Sequence, residues 1–366
     1  MKRIIISGGG TGGHIFPAIS IADALKAIDP ECEILFVGAQ GKMEMERVPK
    51  AGYKIIGLPV AGLQRKLSLK NLVLPFKVLA SVIKAHRILR QFKPNVAVGV
   101  GGYVSAPMLM AASKRGIPCL IQEQNSYAGL TNRKLGAHVQ KICVAYDGME
   151  RFFPAEKIVF TGNPLRDGIN PPTEAQRQEG YEYYGLDPKK KTIFVVGGSL
   201  GARTLNESVQ KWIIEKSAGA DYQILWQSGK YYKNEVDAFL KEHPAANVRN
   251  LTFVDRMDLA YAVADVIISR AGAGTISELC VEGKATIFVP SPIVAEDHQR
   301  HNAMALVNKG AAMMVLDAEA REKLMDTTEA LLYDHDRIAS MEREILTLGK
   351  KRAAKDIADE VLKLCK

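Results

Sequence analysis

Apolar runs of strand length alternate with longer amphipathic stretches throughout this chain, and the alternation is carried out twice. In the first half the strand candidates are residues 3–7, 34–37, 55–58, 96–100, 119–122 and 142–145. In the second they are 192–196, 223–227, 248–253, 266–269, 286–289 and 312–315. Strands separated by helices pair in parallel, because a crossover helix returns the chain to the same end of the neighbouring strand. The halves agree in detail. "IIISGGGTGG" runs a strand into a glycine-rich turn and "IFVVGGSLGA" does so again, while "PNVAVGVGGYVSAP" is echoed by "ADVIISRAGAGTISE". At 366 residues the chain exceeds a single core, so the expectation is an α/β protein of two doubly wound, Rossmann-like domains with parallel sheets facing across a cleft. "FTGNPLRDGINPPTEAQ" concentrates Gly, Asn and Pro and marks the linker.

Composition narrows the classes. Hydrophobic residues make up 47% and charged ones 24%, the balance of an ordinary globular protein. The opening MKRIIISGGG is too short in apolar length and too rich in glycine for a signal peptide or a membrane span, which places the chain in the cytoplasm. The five cysteines, at 32, 119, 143, 280 and 365, are scattered without a C-x-x-C pair, so neither a disulfide framework nor a zinc site is expected. Net charge is +9, and it is unevenly spread: from Arg47 to Gln122 there is no Asp or Glu, while thirteen Lys and Arg fall in that window. Such a segment faces something anionic. Nucleic acid is a poor fit, since aromatic residues are 7% of the chain and no motif interleaves them with cations.

Gly8, Gly10 and Gly13 match G-x-G-x-x-G at the end of the first strand. A dinucleotide site, another phosphate ligand and a bare strand-to-helix turn all fit that loop. A dinucleotide also needs an acid at the end of the second strand for a ribose. That strand, "EILFVGAQ", ends in Gly38 and Ala39, and Glu31 and Glu33 lie at its start. Thr11 and His14 place polar groups where the loop opens. In the second half, Ala271 to Gly274 let backbone approach a pyrophosphate, and Thr275 and Ser277 can donate at the next helix N-terminus. Glu278 stands one turn further, where its carboxylate could accept both ribose hydroxyls; a capping-box or dipole-favoured acid in the first turn of the helix is the other reading. The loop 290–302 gathers Glu296, Asp297, His298, Gln299 and Asn302, suited to sugar hydroxyls or simply to water.

In order along the chain, "GGGTGGHIFPA", "GVGGYVSAP", "QEQNSYAGLTNR", "TGNPLR", "GGSLGAR", "SRAGAGTISEL" and "HQRHNA" closely resemble the motifs of the MurG family of peptidoglycan glycosyltransferases. The resemblance implies a GT-B fold: residues 1–163 form the acceptor and membrane side, 164–339 bind the donor, and a C-terminal helix, 340–366, packs back onto the first domain. It implies transfer of N-acetylglucosamine from UDP-N-acetylglucosamine to the C4 hydroxyl of the N-acetylmuramyl unit of lipid I, the undecaprenyl-pyrophosphoryl-N-acetylmuramyl pentapeptide, giving lipid II. Carried over, Val254 contacts uracil through its backbone, Glu278 the ribose, and Ser199 and Arg166 the pyrophosphate. Ala273, Gly274, Thr275, Ile276 and Ser277 lie beside the phosphates and sugar, and Gln299 contacts sugar hydroxyls. Thr11, Gly12, Gly13 and Asn125 close over the donor. Where some members carry two glutamines, this chain has His298 and Gln299.

The reaction inverts the anomeric carbon and expels UDP. Helix dipoles, loop N–H groups and Arg166 can carry the leaving charge, so neither a metal nor a cofactor is expected. The D-x-D at Asp334-His335-Asp336 reads as a turn or cap. His14 is the candidate general base, kept neutral at a helix N-terminus; the alternative is that it only hydrogen-bonds the loop or sugar. "LSLKNLVLPFKVLASVIKAHRILRQFK" mixes apolar residues with Lys70, Lys77 and Lys84. It fits either the core face of a helix or a peripheral segment on the anionic cytoplasmic face of the bacterial membrane. The turn Gly101 to Ser105 is a candidate for the acceptor pyrophosphate. An epimerase and a phosphate-binding scaffold without catalysis remain the rival readings.

Overall fold

The computed structural model describes residues 1–60, 74–166 and 168–365. The chain divides into two units, one of residues 1–168 with 350–366 and the other of 169–349. In the first unit β1 (Arg3–Ser7), α1 (Gly12–Ile28), β2 (Glu33–Ala39), α2 (Glu44–Lys50), β3 (Lys54–Leu58), α3 (Leu74–Phe92), β4 (Val96–Gly99), α4 (Ser105–Lys114), β5 (Cys119–Glu123), α5 (Leu130–Leu135), β6 (Lys141–Val144) and β7 (Ile158–Phe160) follow in order. The sheet order is β3-β2-β1-β4-β5-β6-β7, parallel throughout.

Both faces of this sheet are buried, which is why its strands read as continuous apolar runs. Alternate residues serve opposite sides. Ile5, Val37 and Ala97 pack beneath Ile88 and Leu89 of α3 and Met108 and Leu109 of α4. Ile4, Ile6, Phe36 and Val98 pack beneath Ile15, Ile21 and Leu25 of α1.

In the second unit α6 (Glu174–Tyr184), β8 (Thr192–Val196), α7 (Arg203–Glu215), β9 (Gln223–Gln227), α8 (Lys233–Glu242), β10 (Val248–Leu251), α9 (Met257–Val263), β11 (Val266–Ser269), α10 (Ala273–Glu282), β12 (Thr286–Phe288), α11 (His298–Val307), β13 (Met313–Met314), α12 (Asp317–Leu332) and α13 (His335–Thr347) build a parallel sheet ordered β10-β9-β8-β11-β12-β13. Its entry is written in the sequence. Thr173 and Gln176 form a reciprocal capping box at the start of α6, and Gly185 ends it at φ 65°.

The chain then leaves the second unit and returns to the first as α14 (Ala353–Leu364). The sequence reading has one helical stretch to the end, beginning at 337 or 340; here it is two helices. Asp334 caps α13 by accepting from the Arg337 N–H at 3.0 Å, so the D-x-D is a cap. α13 stays with the second unit, where Leu346 fills the space a side chain at Gly283 would need, 2.7 Å from its Cβ position. Ile357, Ala358 and Val361 of α14 then join α1 on the first sheet. The division falls at 168/169 and 349/350, where the sequence reading has 163/164 and 339/340. The shift at the C-terminal end follows from α13 having its own apolar stripe, with Met341 buried in the second core. β7 is absent from the sequence reading because three residues carry no readable alternation.

Ile357 is fully buried. Its replacement by Ala should destabilise the first unit by about 2–5 kcal/mol, read as a lowered midpoint in urea unfolding of the full chain; a loss below about 0.5 kcal/mol, the size of a surface effect, would show that α14 does not anchor there.

Candidate active site

In each sheet two neighbouring strands send their connections to opposite sides, and loops at their carboxyl ends are left apart. In the first unit these are β1 and β4. Their loops are pinned from below: Ser105 Oγ, fully buried, donates to Ser7 O at 2.8 Å and Gly101 O at 2.8 Å. That hydroxyl is committed to the fold, so within Gly101 to Ser105 the Ser105 side chain cannot serve a phosphate. Gly102, at φ 83°, lies so close that a Cβ would be 2.3 Å from Gly9 O, an approach only glycine permits.

His14 is in the first turn of α1. Its Nδ1 is 3.2 Å from Gly9 O and 3.2 Å from Thr11 Oγ1. A carbonyl only accepts, which puts a proton on Nδ1, so that in the neutral form of the ring Nε2 is the acceptor nitrogen. The ring lies over Gly101, whose Cβ would be 2.8 Å from Nε2. Thr11 and Gly13 are exposed and Gly12 half-buried at the same helix start. The G-x-G-x-x-G loop is not an empty cradle: the Gly10 N–H donates to the buried carboxylate of Glu44 at 3.1 Å, which places negative charge behind the turn. Asn125, after β5, is held by Glu123, which accepts from its N–H at 3.1 Å and its Nδ2 at 3.2 Å. The second oxygen of Glu123 takes the Gly129 N–H and Asn132 Nδ2.

In the second unit the diverging strands are β8 and β11. The turn after β8 uses Gly198 and Gly201 at φ 86° and 87° and leaves Ser199 exposed. Gln227, buried at the end of β9, ties the neighbouring loops together: its Oε1 accepts from the Gly197 N–H, and its Nε2 donates to Gly198 O and Thr252 O. Two residues on, Val254 is buried, and its loop is held again by Tyr184 Oη, which donates to Arg256 O at 2.7 Å.

After β11 the chain enters α10 through Gly272, with no acid in the first turn, so the first N–H groups of the helix meet no side-chain anion of their own turn. Gly274 is exposed and Thr275 half-buried. Ile276 sends its side chain into the core, so its backbone alone can serve a ligand. Ser277 Oγ donates back to Ala273 O at 3.0 Å. Glu278 is the sixth residue of α10 and does not cap it; Tyr261 Oη donates to its Oε2 at 3.4 Å. Arg270, paired with Asp317, donates to Val289 O and Pro290 O and so joins this turn to the loop after β12. In that loop Glu296 and Asp297 adopt φ 53° and 51°, left-handed and costly for non-glycine residues. Gln299 Oε1 accepts from the Ser291 N–H at 2.9 Å, and His298 Nε2 is 3.3 Å from Glu296.

Ser199, Val254, Ala273 to Glu278 and Gln299 thus share the carboxyl edge of the second sheet, and Thr11 to His14 and Asn125 that of the first. Arg166 is not among the former: it is exposed at the end of the first unit. Sequence reasoning missed Glu44, Glu123, Gln227 and Arg270. A polar residue closing an apolar strand was the available signal for Glu123 and Gln227. Among the described residues no three His, Cys, Asp or Glu side chains gather to hold a metal ion. The cysteines are free thiols; burial pushes Cys119, Cys143 and Cys280 up to about 12 and Cys365 to about 11, which leaves little thiolate at neutral pH.

On α3, Ser81, Ala85, Ile88 and Leu89 are buried, while Phe76, Val78, Leu79 and Ile83 are exposed beside exposed Lys77 and Arg87. Lys84 is a correction: its ammonium donates to Gly57 O at 2.7 Å and is used inside the fold. Lys70 lies outside the described residues. Among the described residues no helix is long and apolar enough to cross a membrane.

The model of the glycosyltransferase family 28 N-terminal domain matches residues 4–144, and that of the family 28 C-terminal domain matches 192–361. A protein of Parabacteroides distasonis named UDP-N-acetylglucosamine–N-acetylmuramyl-(pentapeptide) pyrophosphoryl-undecaprenol N-acetylglucosamine transferase is 51% identical, covering 99% of this chain and 98% of its own. A protein of Phocaeicola vulgatus with the same name is 54% identical, covering 99% and 96%. The crystal structure of Acinetobacter baumannii MurG is similar with a TM-score of 0.81 at 31% identity, over 99% of this chain and 100% of that one.

Proposed function

The chain belongs to glycosyltransferase family 28, and from that premise we propose that it performs the reaction for which its relatives are named, transfer of N-acetylglucosamine from UDP-N-acetylglucosamine to the N-acetylmuramyl unit of undecaprenyl-linked lipid I. The product is lipid II, the peptidoglycan precursor. The observation that carries the donor assignment is the convergence at one sheet edge of an acid-free helix start at Ala273, the Glu278 carboxylate and the loop of Val254.

The donor diphosphate is assigned to the N–H groups of Ala273 to Thr275 and to Ser199. Glu278 accepts from the ribose hydroxyls, the backbone at Val254 reads uracil, and Gln299 meets the sugar. Tyr261, by donating to Glu278, orients the carboxylate for that task.

The acceptor and its base are assigned to the first unit. The C4 hydroxyl attacks the anomeric carbon, the new C–O bond forms as the bond to the β-phosphate breaks, and the hydroxyl proton passes to His14 Nε2. Attack opposite the leaving group inverts the centre. Negative charge growing on UDP is met by the start of α10, an arrangement fixed before the reaction begins. No divalent ion is required in this account.

Transfer of radiolabelled sugar to a lipid I analogue should therefore persist in EDTA. Replacing Glu278 with Ala should raise KM for UDP-N-acetylglucosamine about tenfold to a hundredfold, the worth of a charge-assisted hydrogen-bonded pair. Unchanged KM, or release of a free epimerised donor without acceptor, would contradict the assignment.

The exposed apolar and cationic side chains of α3 are assigned to an anionic membrane surface on the cytoplasmic side, as a peripheral contact. Each cation contributes on the order of 1 kcal/mol there. Sedimentation with anionic vesicles should fall with salt and with Lys77 and Arg87 changed to Glu, and should fall at all salt concentrations with Phe76 and Leu79 changed to Ser. Equal binding to neutral vesicles would contradict the electrostatic part.

A further inference from the structure

We infer that Glu44 is a positioning residue for His14, fixing the tautomer of the ring through the single peptide unit that joins Gly9 to Gly10. The inference rests on the reading of His14 as the base. Glu44 is fully buried at the first position of α2. Its Oε1 accepts from the Ala39 N–H at 2.9 Å and its Oε2 from the Gly10 N–H at 3.1 Å. Both oxygens act as acceptors, the pattern of a carboxylate, and the start of its own helix favours the charge.

The slot is built for this side chain. A Cβ at Gly9 would be 2.1 Å from Glu44 Oε1, and one at Gly38 would be 2.6 Å from Glu44 Cγ. Gly9, in the loop after β1, and Gly38, next to the end of β2, leave the room that the carboxylate fills.

The Gly10 N–H and the Gly9 C=O belong to one planar amide, with the two bonds pointing in opposite directions. Glu44 holds one end of that amide, and His14 Nδ1 lies 3.2 Å from the other. A carboxylate accepting from the N–H polarises the amide and makes the Gly9 oxygen a stronger acceptor. The ring then donates from Nδ1, helped by Thr11 Oγ1 as a second acceptor at 3.2 Å. The opposite tautomer would set a nitrogen lone pair against the carbonyl oxygen. With the proton on Nδ1, Nε2 is the nitrogen that takes the acceptor proton. The arrangement works as a carboxylate–histidine pair with one peptide inserted between the partners.

The test uses the full chain with ¹⁵N-labelled histidine, the His14 resonances being assigned by their loss in His14→Gln. The wild type should show Nδ1 protonated in a single tautomer, and Glu44→Gln should shift the ring toward the other. A wild-type ring protonated on Nε2, or a tautomer ratio indifferent to Glu44→Gln, would overturn the inference. Turnover gives an independent reading: Glu44→Gln should lower kcat about tenfold to a hundredfold, part of the worth of a general base, without a matching rise in KM for the donor. The Glu44→Gln/His14→Gln double variant should be no slower than His14→Gln alone, whereas penalties that multiply would show that Glu44 acts independently. Near-normal turnover of His14→Gln would remove the base assignment, and the nitrogen spectra would still decide what Glu44 does. Should Glu44→Gln fail to fold, the wild-type spectrum and Glu44→Asp, which keeps the charge and shortens the reach, carry the same decision.

Discussion

A parallel strand ends with backbone groups that its own ladder no longer satisfies, and where two neighbouring strands send their connections to opposite sides, those groups are left facing open space. This chain meets that constraint at β1 and β4 and again at β8 and β11. The residues assigned to the transfer lie on those edges, and several polar side chains of the core hold the edges still.

The holding is done by buried and half-buried polar side chains that each make several hydrogen bonds. Glu123 ties down the Asn125 loop from both oxygens, Gln227 joins the turn after β8 to the loop of Val254, and Arg270 joins the start of α10 to the loop after β12. Buried polar groups of this kind are costly when unpaired and rigidifying when satisfied. Pre-set donors around a developing charge are worth more than donors that must reorganise, so on the proposed assignment these side chains bear on rate as well as on stability.

Much of the fold could be read from the residues, because a sheet buried on both faces writes itself as apolar runs and the glycine turns announce the strand ends. The family's motifs likewise fall on the carboxyl edge of the second sheet, where the donor is proposed to sit. What escaped was set by distance in the chain. Glu44 sits in "MEMER", which has the look of a solvated helix, and its burial depends on Gly9 and Gly38. Lys84 reads as a free surface cation until Gly57 accepts from it. The break between α13 and α14 follows from two separate apolar stripes, each finding a different core, which no local pattern specifies.

The central claim is that the second unit holds the uridine diphosphate on the edge shared by β8 and β11. A crystal structure of the full chain with UDP-N-acetylglucosamine tests it most directly. The account predicts uracil against the Val254 backbone, ribose hydroxyls on Glu278 and the diphosphate at Ala273 to Thr275. Diphosphate lodged in the Gly8 to Gly13 turn, with Glu278 untouched, would contradict it.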